Sequence, residues 1–232
     1  MAPPSTWGHP ALDRLDGLVA SVMPADDLSH DMAHVRRVAR WCARLAPELG
    51  ADPLAAVAAG LCHDLDPVGK ETAARPTGSA RASAAARPLL AAAGFESDLA
   101  DEVCEAIAAC SWSAGLAPRG PLGAVLQDAD RLDAIGALGI ARNMACAAHM
   151  HARTQSGALI HPTDPAGRQR PLDDRLFAAD HYPRKLLRLA AGMHSATARA
   201  EAQRRHARLL AFYEALVEEG ELAVVEGARL WT

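Results

Sequence analysis

The sequence predicts an all-α protein, and three observations carry that prediction. Half of the 232 residues are hydrophobic, much of that half is alanine, and only 4% of the chain is aromatic. Alanine has the highest helix propensity and buries little area per residue, which suits helices that approach closely through small side chains. Apolar residues recur at spacings of three and four in several segments, whereas no stretch alternates as a half-buried strand would. A chain of this length suits one domain, or one domain with an insertion.

The first helix is expected over about 11–23, inside a leader covering 1–26. Ser29 has the residue type of an N-cap and opens a second helix, in which Val35, Val38, Cys42 and Leu45 form one stripe. Gly50 and Pro53 separate it from a third helix, with Leu54, Val57, Ala58 and Leu61 on one face, finishing at His63-Asp64. Gly69, Pro76 and Gly78 mark 67–79 as a loop. Two alanine-rich helices follow, about 80–93 and 97–109, with Gly94 between them as a C-cap.

After a loop over 115–120, a long helix is expected from near Leu122 through Asp130 to about Ala147. The polar, Pro- and Gly-rich stretch 154–174 reads as an irregular excursion, centred on about 150–175. Pro183 starts a helix ending near Met193, and Ser195 caps the last long one, to about Glu218. Residues 27–218 then form the helical core and 219–232 a loosely attached tail.

Composition narrows the function. The formal charge is −4 and the pI about 6.2, so the chain lacks a broad electrostatic footprint for nucleic acid or an anionic membrane. The five cysteines are odd in number and show no Cys-x-x-Cys spacing, which reads as buried thiols in a reducing compartment. The first ten residues carry no basic segment followed by an apolar core, so they do not read as a signal peptide. No run approaches the roughly 20 apolar residues of a membrane span. The expectation is a soluble cytoplasmic protein.

Four ionisable residues stand at the edges of apolar helix faces. His34 adjoins the Val35/Val38 stripe, His63-Asp64 ends the third helix, and Asp130 neighbours Val125, Ala129, Leu132 and Ile135. Such groups are costly to bury unless paired or metal-bound, so four of them on three helices point to a common partner. Two imidazoles and two carboxylates without a thiolate suit Mn²⁺ first, with Co²⁺, Ni²⁺, Fe²⁺ or Mg²⁺ as alternatives, better than structural zinc. One divalent ion so held acidifies water and neutralises phosphoryl oxygens.

The order His34…His63-Asp64…Asp130 resembles the HD-domain phosphohydrolase superfamily, all-helical metal enzymes named for the His-Asp pair. One bacterial branch is similar over Ser29–Val38, Leu61–Leu65 and the block Val125–Arg142, and its later His-x-x-x-Lys-Leu-Leu segment is matched by His181–Leu187. The resemblance covers about residues 27–218. It implies an HD-domain helical bundle with His34, His63, Asp64 and Asp130 as metal ligands and His30 as the outer histidine of its motif. It further implies a phosphohydrolase acting on a phosphate ester or a nucleoside tri- or diphosphate. Superfamily members with dinuclear iron sites need further histidines between the pair and the last aspartate. Here no histidine occurs between His63 and His149, which favours one metal ion.

The remaining expectations follow from the chemistry. Asp66 or Glu71 is a candidate proton acceptor, and Lys70, Arg142 and Lys185 are candidates for phosphate contacts, since transferred phosphoryl groups need cationic clamps. Asp128 and Asp133 are candidates to orient ligand imidazoles or Arg131. Rival readings are an HD-fold metal-dependent oxygenase or lyase in a biosynthetic pathway, and a non-catalytic nucleotide-binding protein. The expected partner is a small phosphate or nucleotide, not nucleic acid or membrane, and the alanine-rich faces offer a surface for a homodimer.

Overall fold

The computed structural model describes residues 7–24, 27–65 and 78–227, the last six without their side chains. The chain divides into two compact units, one of 1–133 with 193–198 and the other of 134–192 with 199–232. Among the described residues the architecture is helical, and the only extended pairing is an isolated bridge between Ala158 and Phe177.

The first unit holds α1 (Pro10–Val22), α2 (Met32–Leu49), α3 (Pro53–Cys62), α4 (Gly78–Ala93), α5 (Ser97–Ala108) and α6 (Gly120–Asp133). Helix α2 is amphipathic as expected, burying Val35, Val38, Cys42 and Leu45. Its cap differs from the expectation. Asp31, not Ser29, occupies the N-cap and accepts from the His34 backbone N–H at 2.8 Å. Ser29 is instead buried and donates its hydroxyl to Asp27 at 2.5 Å.

Helix α3 corrects a second expectation. It is buried all round from Ala55 to Cys62, not along one face, and packs against α1, α2, α5 and α6. Its sequence after Pro53 contains no polar side chain, so no face prefers water. Asp52 caps it, accepting from Leu54 and Ala55 N–H at 2.7 and 2.9 Å. Gly60 permits the close approach to α2. A Cβ there would lie 2.5 Å from Ala39 Cα and 2.8 Å from Ala39 N.

Polar ties fix the outer helices. Asp16 on α1 takes a two-pronged pair from Arg36 on α2 at 2.9 and 2.6 Å. Arg14 donates to the Ala93 carbonyl, the last of α4. Between α4 and α5, Ser83 Oγ donates to the Cys104 carbonyl at 2.8 Å while Cys104 Sγ donates back to the Ser83 carbonyl.

The long helix expected over 122–147 is two helices. Helix α6 stops at Asp133, and α7 (Gly136–Thr154) starts after Ile135 in extended conformation and Gly136 at φ +78°. That left-handed conformation is strained for any residue with a Cβ, so Gly136 is the breaker that helix propensity alone conceals.

In the second unit, α7 is followed by 155–177, irregular as expected yet internally tied. The buried Asp180 receives Arg170 through two bonds of 2.6 and 2.7 Å and the Asp173 N–H at 2.6 Å. The helix expected from Pro183 to Met193 is replaced by the one-turn α8 (His181–Arg184) and a 3₁₀ segment over Leu186–Gly192. Tyr182 stacks on Tyr213 at 5.5 Å between ring centres. Helix α9 (Ala196–Gly227) runs past the expected end at Glu218.

The start of α9 lies in the first unit, where Ser195 caps it as expected by accepting from Ala198 N–H at 3.1 Å. Asp128, fully buried on α6, accepts from His194 N–H, Ser195 N–H and Ser195 Oγ, each at 2.8 Å. Asp128 therefore anchors a helix terminus and does not orient a ligand imidazole. No helix among the described residues is long and apolar enough to cross a membrane.

Candidate metal centre

Three helices bring the expected ligands together within the first unit. Helix α2 supplies His34 in its first turn, α3 ends on His63 with Asp64 following, and α6 supplies Asp130 in its last turn. The two imidazole Nε2 atoms are 3.2 Å apart. Asp64 Oδ2 lies 3.8 Å from His34 Nε2, and Asp130 Oδ1 lies 4.0 and 3.7 Å from the His34 and His63 Nε2 atoms. Donor atoms of His34, His63 and Asp130 all fall within 4.8 Å of one another.

Burial is graded across this cluster. The His34 and His63 side chains are 1% and 3% exposed, Asp64 is 14% and Asp130 is 30%. The imidazoles are the most buried members and Asp130 the most exposed.

Both rings are oriented from behind. His63 Nδ1 donates to the Gly60 carbonyl at 2.9 Å, which can only accept. His34 Nδ1 donates to Asp133 Oδ2 at 2.8 Å, and Asp133 is itself gripped by Arg37 at 2.7 and 3.0 Å. With each Nδ1 carrying hydrogen, the neutral rings turn two Nε2 lone pairs toward each other. Lone pairs at that separation repel unless a cation or a proton lies between them. Burial opposes the charged form of His63, but Asp130, Asp64 and the Gly60 carbonyl outweigh it and raise its pKa. A converging lone-pair set beside two carboxylates fits a divalent ion with nitrogen and oxygen preference.

The supporting residues each lie three positions from a ligand. Arg37 follows His34, Asp133 follows Asp130, and Gly60 precedes His63, but only Gly60 serves the residue one turn away, whereas Asp133 and Arg37 meet across α6 and α2. Asp133 does bond the His34 imidazole, one of the expected ligands, and its cationic partner is Arg37, not Arg131. The roles of Arg37 and Gly60 were missed. Their i±3 spacing is the only signal in the sequence, and surface arginines and packing glycines share it. His30 stands outside the cluster, with Nδ1 2.8 Å from Asp27 and its ring centre 6.1 Å from that of His34. Burial would raise the Asp27 pKa, but His30 and Ser29 hold it well below the carboxylate range.

Asp133→Asn tests the orienting role. It keeps the shape but removes the charge that both His34 Nδ1–H and Arg37 face. Divalent-ion affinity, read by calorimetry, is expected to fall about 10–100-fold. The stability loss is expected near 2 kcal/mol, below the ~3–5 of a fully buried broken pair, because the Arg37 side chain is 29% exposed and stays hydrated. Unchanged ion affinity would remove Asp133 from the site.

Asp66, Lys70 and Glu71 lie outside the described residues. Arg142, on α7, and Lys185, just after α8, are half-buried in the second unit. Gln127, one turn before Arg131, accepts from Arg131 Nη2 at 2.6 Å and donates to the Ala109 carbonyl at 2.8 Å.

Comparison with known proteins follows this geometry. The family model for the HD domain matches residues 32–135, a span holding all four expected ligands, Arg37, Gly60 and Asp133. YpgQ of Bacillus subtilis (strain 168) is 33% identical over 205 residues, 87% of this chain and 89% of that protein. The crystal structure of YpgQ in complex with ADP covers 90% of this chain and 97% of that one at 29% identity, with a TM-score of 0.64. A Lactobacillus plantarum protein of solved structure covers 93% and 98% at 28% identity and a TM-score of 0.71. An HD-superfamily hydrolase from Bacillus thuringiensis covers 90% and 95% at 26% identity and a TM-score of 0.61.

Proposed function

The chain belongs to the HD domain family, and from that premise we propose that it is a metal-dependent phosphohydrolase acting on nucleoside tri- or diphosphates or related phosphate esters. The observation that carries this reading is the convergence of His34, His63, Asp64 and Asp130, with both Nε2 atoms turned inward. The solved complex of the relative YpgQ with ADP supports a nucleotide as the ligand.

His34, His63, Asp64 and Asp130 would hold one divalent ion, Mn²⁺ first among the candidates. When bound, such an ion acidifies water and neutralises charge on phosphoryl oxygens. Hydrolysis adds water to phosphorus, breaks the bond from phosphorus to the leaving oxygen and releases a proton. Asp66 and Glu71 are the proposed acceptors of that proton. Lys70, Arg142 and Lys185 are the cations proposed for phosphate contact, where fixed positive charge offsets the charge on the equatorial oxygens.

A panel of nucleoside tri-, di- and monophosphates and simple phosphomonoesters, assayed with Mn²⁺, Co²⁺, Ni²⁺ and Mg²⁺, tests the reading. Release of phosphate or pyrophosphate is expected with at least one ion, and chelation is expected to stop it. Nucleotide binding without turnover under every ion would replace the enzyme with a binding protein. Oxygen consumption without phosphate release would replace it with an oxygenase.

A further inference from the structure

A cavity of about 420 Å³ opens beside the ligand cluster, lined by Val22, Met23 and Pro24 at the end of α1, by Asp64 and Leu65, and by Ala85 and Leu89 of α4. Its size falls within the roughly 300–1,000 Å³ typical of small-molecule sites. Apart from Asp64, the described lining is apolar. Ala85 and Leu89 are four residues apart on α4 and so face the cavity from successive turns. Val22 leaves 56% of its surface exposed at the rim, an apolar area that a bound group would cover.

Asp64 joins the cavity to the cluster. Its Oδ2 lies 3.8 Å from His34 Nε2, and Asp64 is also one of the residues lining the cavity. A substrate whose phosphate sits at the cluster therefore has an apolar recess waiting at one side. We infer that this recess seats the base and sugar of a nucleoside phosphate, with Ala85 and Leu89 against the base and Met23 and Val22 closing over it. The inference rests on the phosphohydrolase reading and adds where the organic part of the substrate binds and by which residues. The chemistry matches the lining. A nucleobase has two weakly polar faces that gain from contact with aliphatic and thioether groups. An inorganic polyphosphate has no group that would fill the recess.

The test uses the full chain with Mn²⁺ present and two probes, ADP and inorganic pyrophosphate, measured by calorimetry. Ala85→Phe projects a ring into the recess and Leu89→Ala removes its longest α4 side chain. Ala85→Phe is expected to weaken ADP at least tenfold and Leu89→Ala at least threefold, with pyrophosphate held within twofold in both. Nucleotide KM should rise in parallel, with kcat little changed. Unchanged ADP affinity in a folded, Mn²⁺-binding Ala85→Phe protein would overturn the inference, and so would equal loss of both probes. Wild-type protein that binds pyrophosphate but not ADP would overturn it while leaving the phosphohydrolase reading standing. Wild-type protein that binds neither probe would overturn both.

Discussion

Asp130→Ala is expected to abolish turnover and divalent-ion binding while leaving the helical content unchanged. Asp130 Oδ1 lies 3.7 Å from His63 Nε2 and 4.0 Å from His34 Nε2. Its loss removes a proposed ligand outright, so the effect should exceed the roughly 10–100-fold cost of losing an outer partner. The fold should tolerate it. The Asp130 side chain is 30% exposed, alanine is the best helix former, and the core of α6 rests on Val125, Leu126, Ala129 and Leu132. A ligand present at 100 times its dissociation constant stabilises the folded state by about 2.7 kcal/mol. Mn²⁺ should therefore raise the melting temperature of the wild type and leave that of Asp130→Ala unmoved. A variant that still melts higher with Mn²⁺, or still turns substrate over, would dissolve the proposed centre.

Gly60→Ala should be the costliest one-carbon change in the first unit. The added Cβ would meet Ala39 Cα at 2.5 Å and Ala39 N at 2.8 Å, backbone atoms of a buried helix that cannot swing aside. Overpacking of this kind costs about 1–3 kcal/mol and sometimes more, offset by the ~1 kcal/mol that alanine gains over glycine within a helix. A net loss of up to about 2 kcal/mol would lower the melting temperature by up to about 4–8 °C in a chain of this size. The same strain should reach the site. Gly60 O receives the His63 Nδ1–H bond, and α2 carries His34, so parting α3 from α2 spreads the two imidazoles. Ion affinity should fall together with stability. A Gly60→Ala protein as stable as wild type, with full ion affinity, would mean the two helices can separate without cost.

Helix positions were legible wherever local chemistry set them. The stripe of α2 and the Ser195 cap follow from side-chain spacing and residue type, which act within one turn. The failures share a cause. Ser29 and Asp31 are both good cap residues, and the choice fell to Asp31 because Asp27 and His30 engage Ser29. The 122–147 stretch has the periodicity of one helix, yet Gly136 at φ +78° divides it. The segment from Pro183 curls into 3₁₀ geometry despite an ordinary helical composition.

By itself the sequence determined a helical chain whose His34, His63-Asp64 and Asp130 lie at the edges of apolar faces, in the order of an HD domain. Tertiary structure alone decided that α3 is buried on every side, that Gly60 sets its distance from α2, and that Asp133 locks His34 from 99 positions away in sequence while Arg37 grips Asp133 from 96. The reason lies in range. Periodicity and capping report on neighbours within a few residues, whereas an imidazole's orientation depends on which distant helix packs behind it, and that is settled only when the core closes.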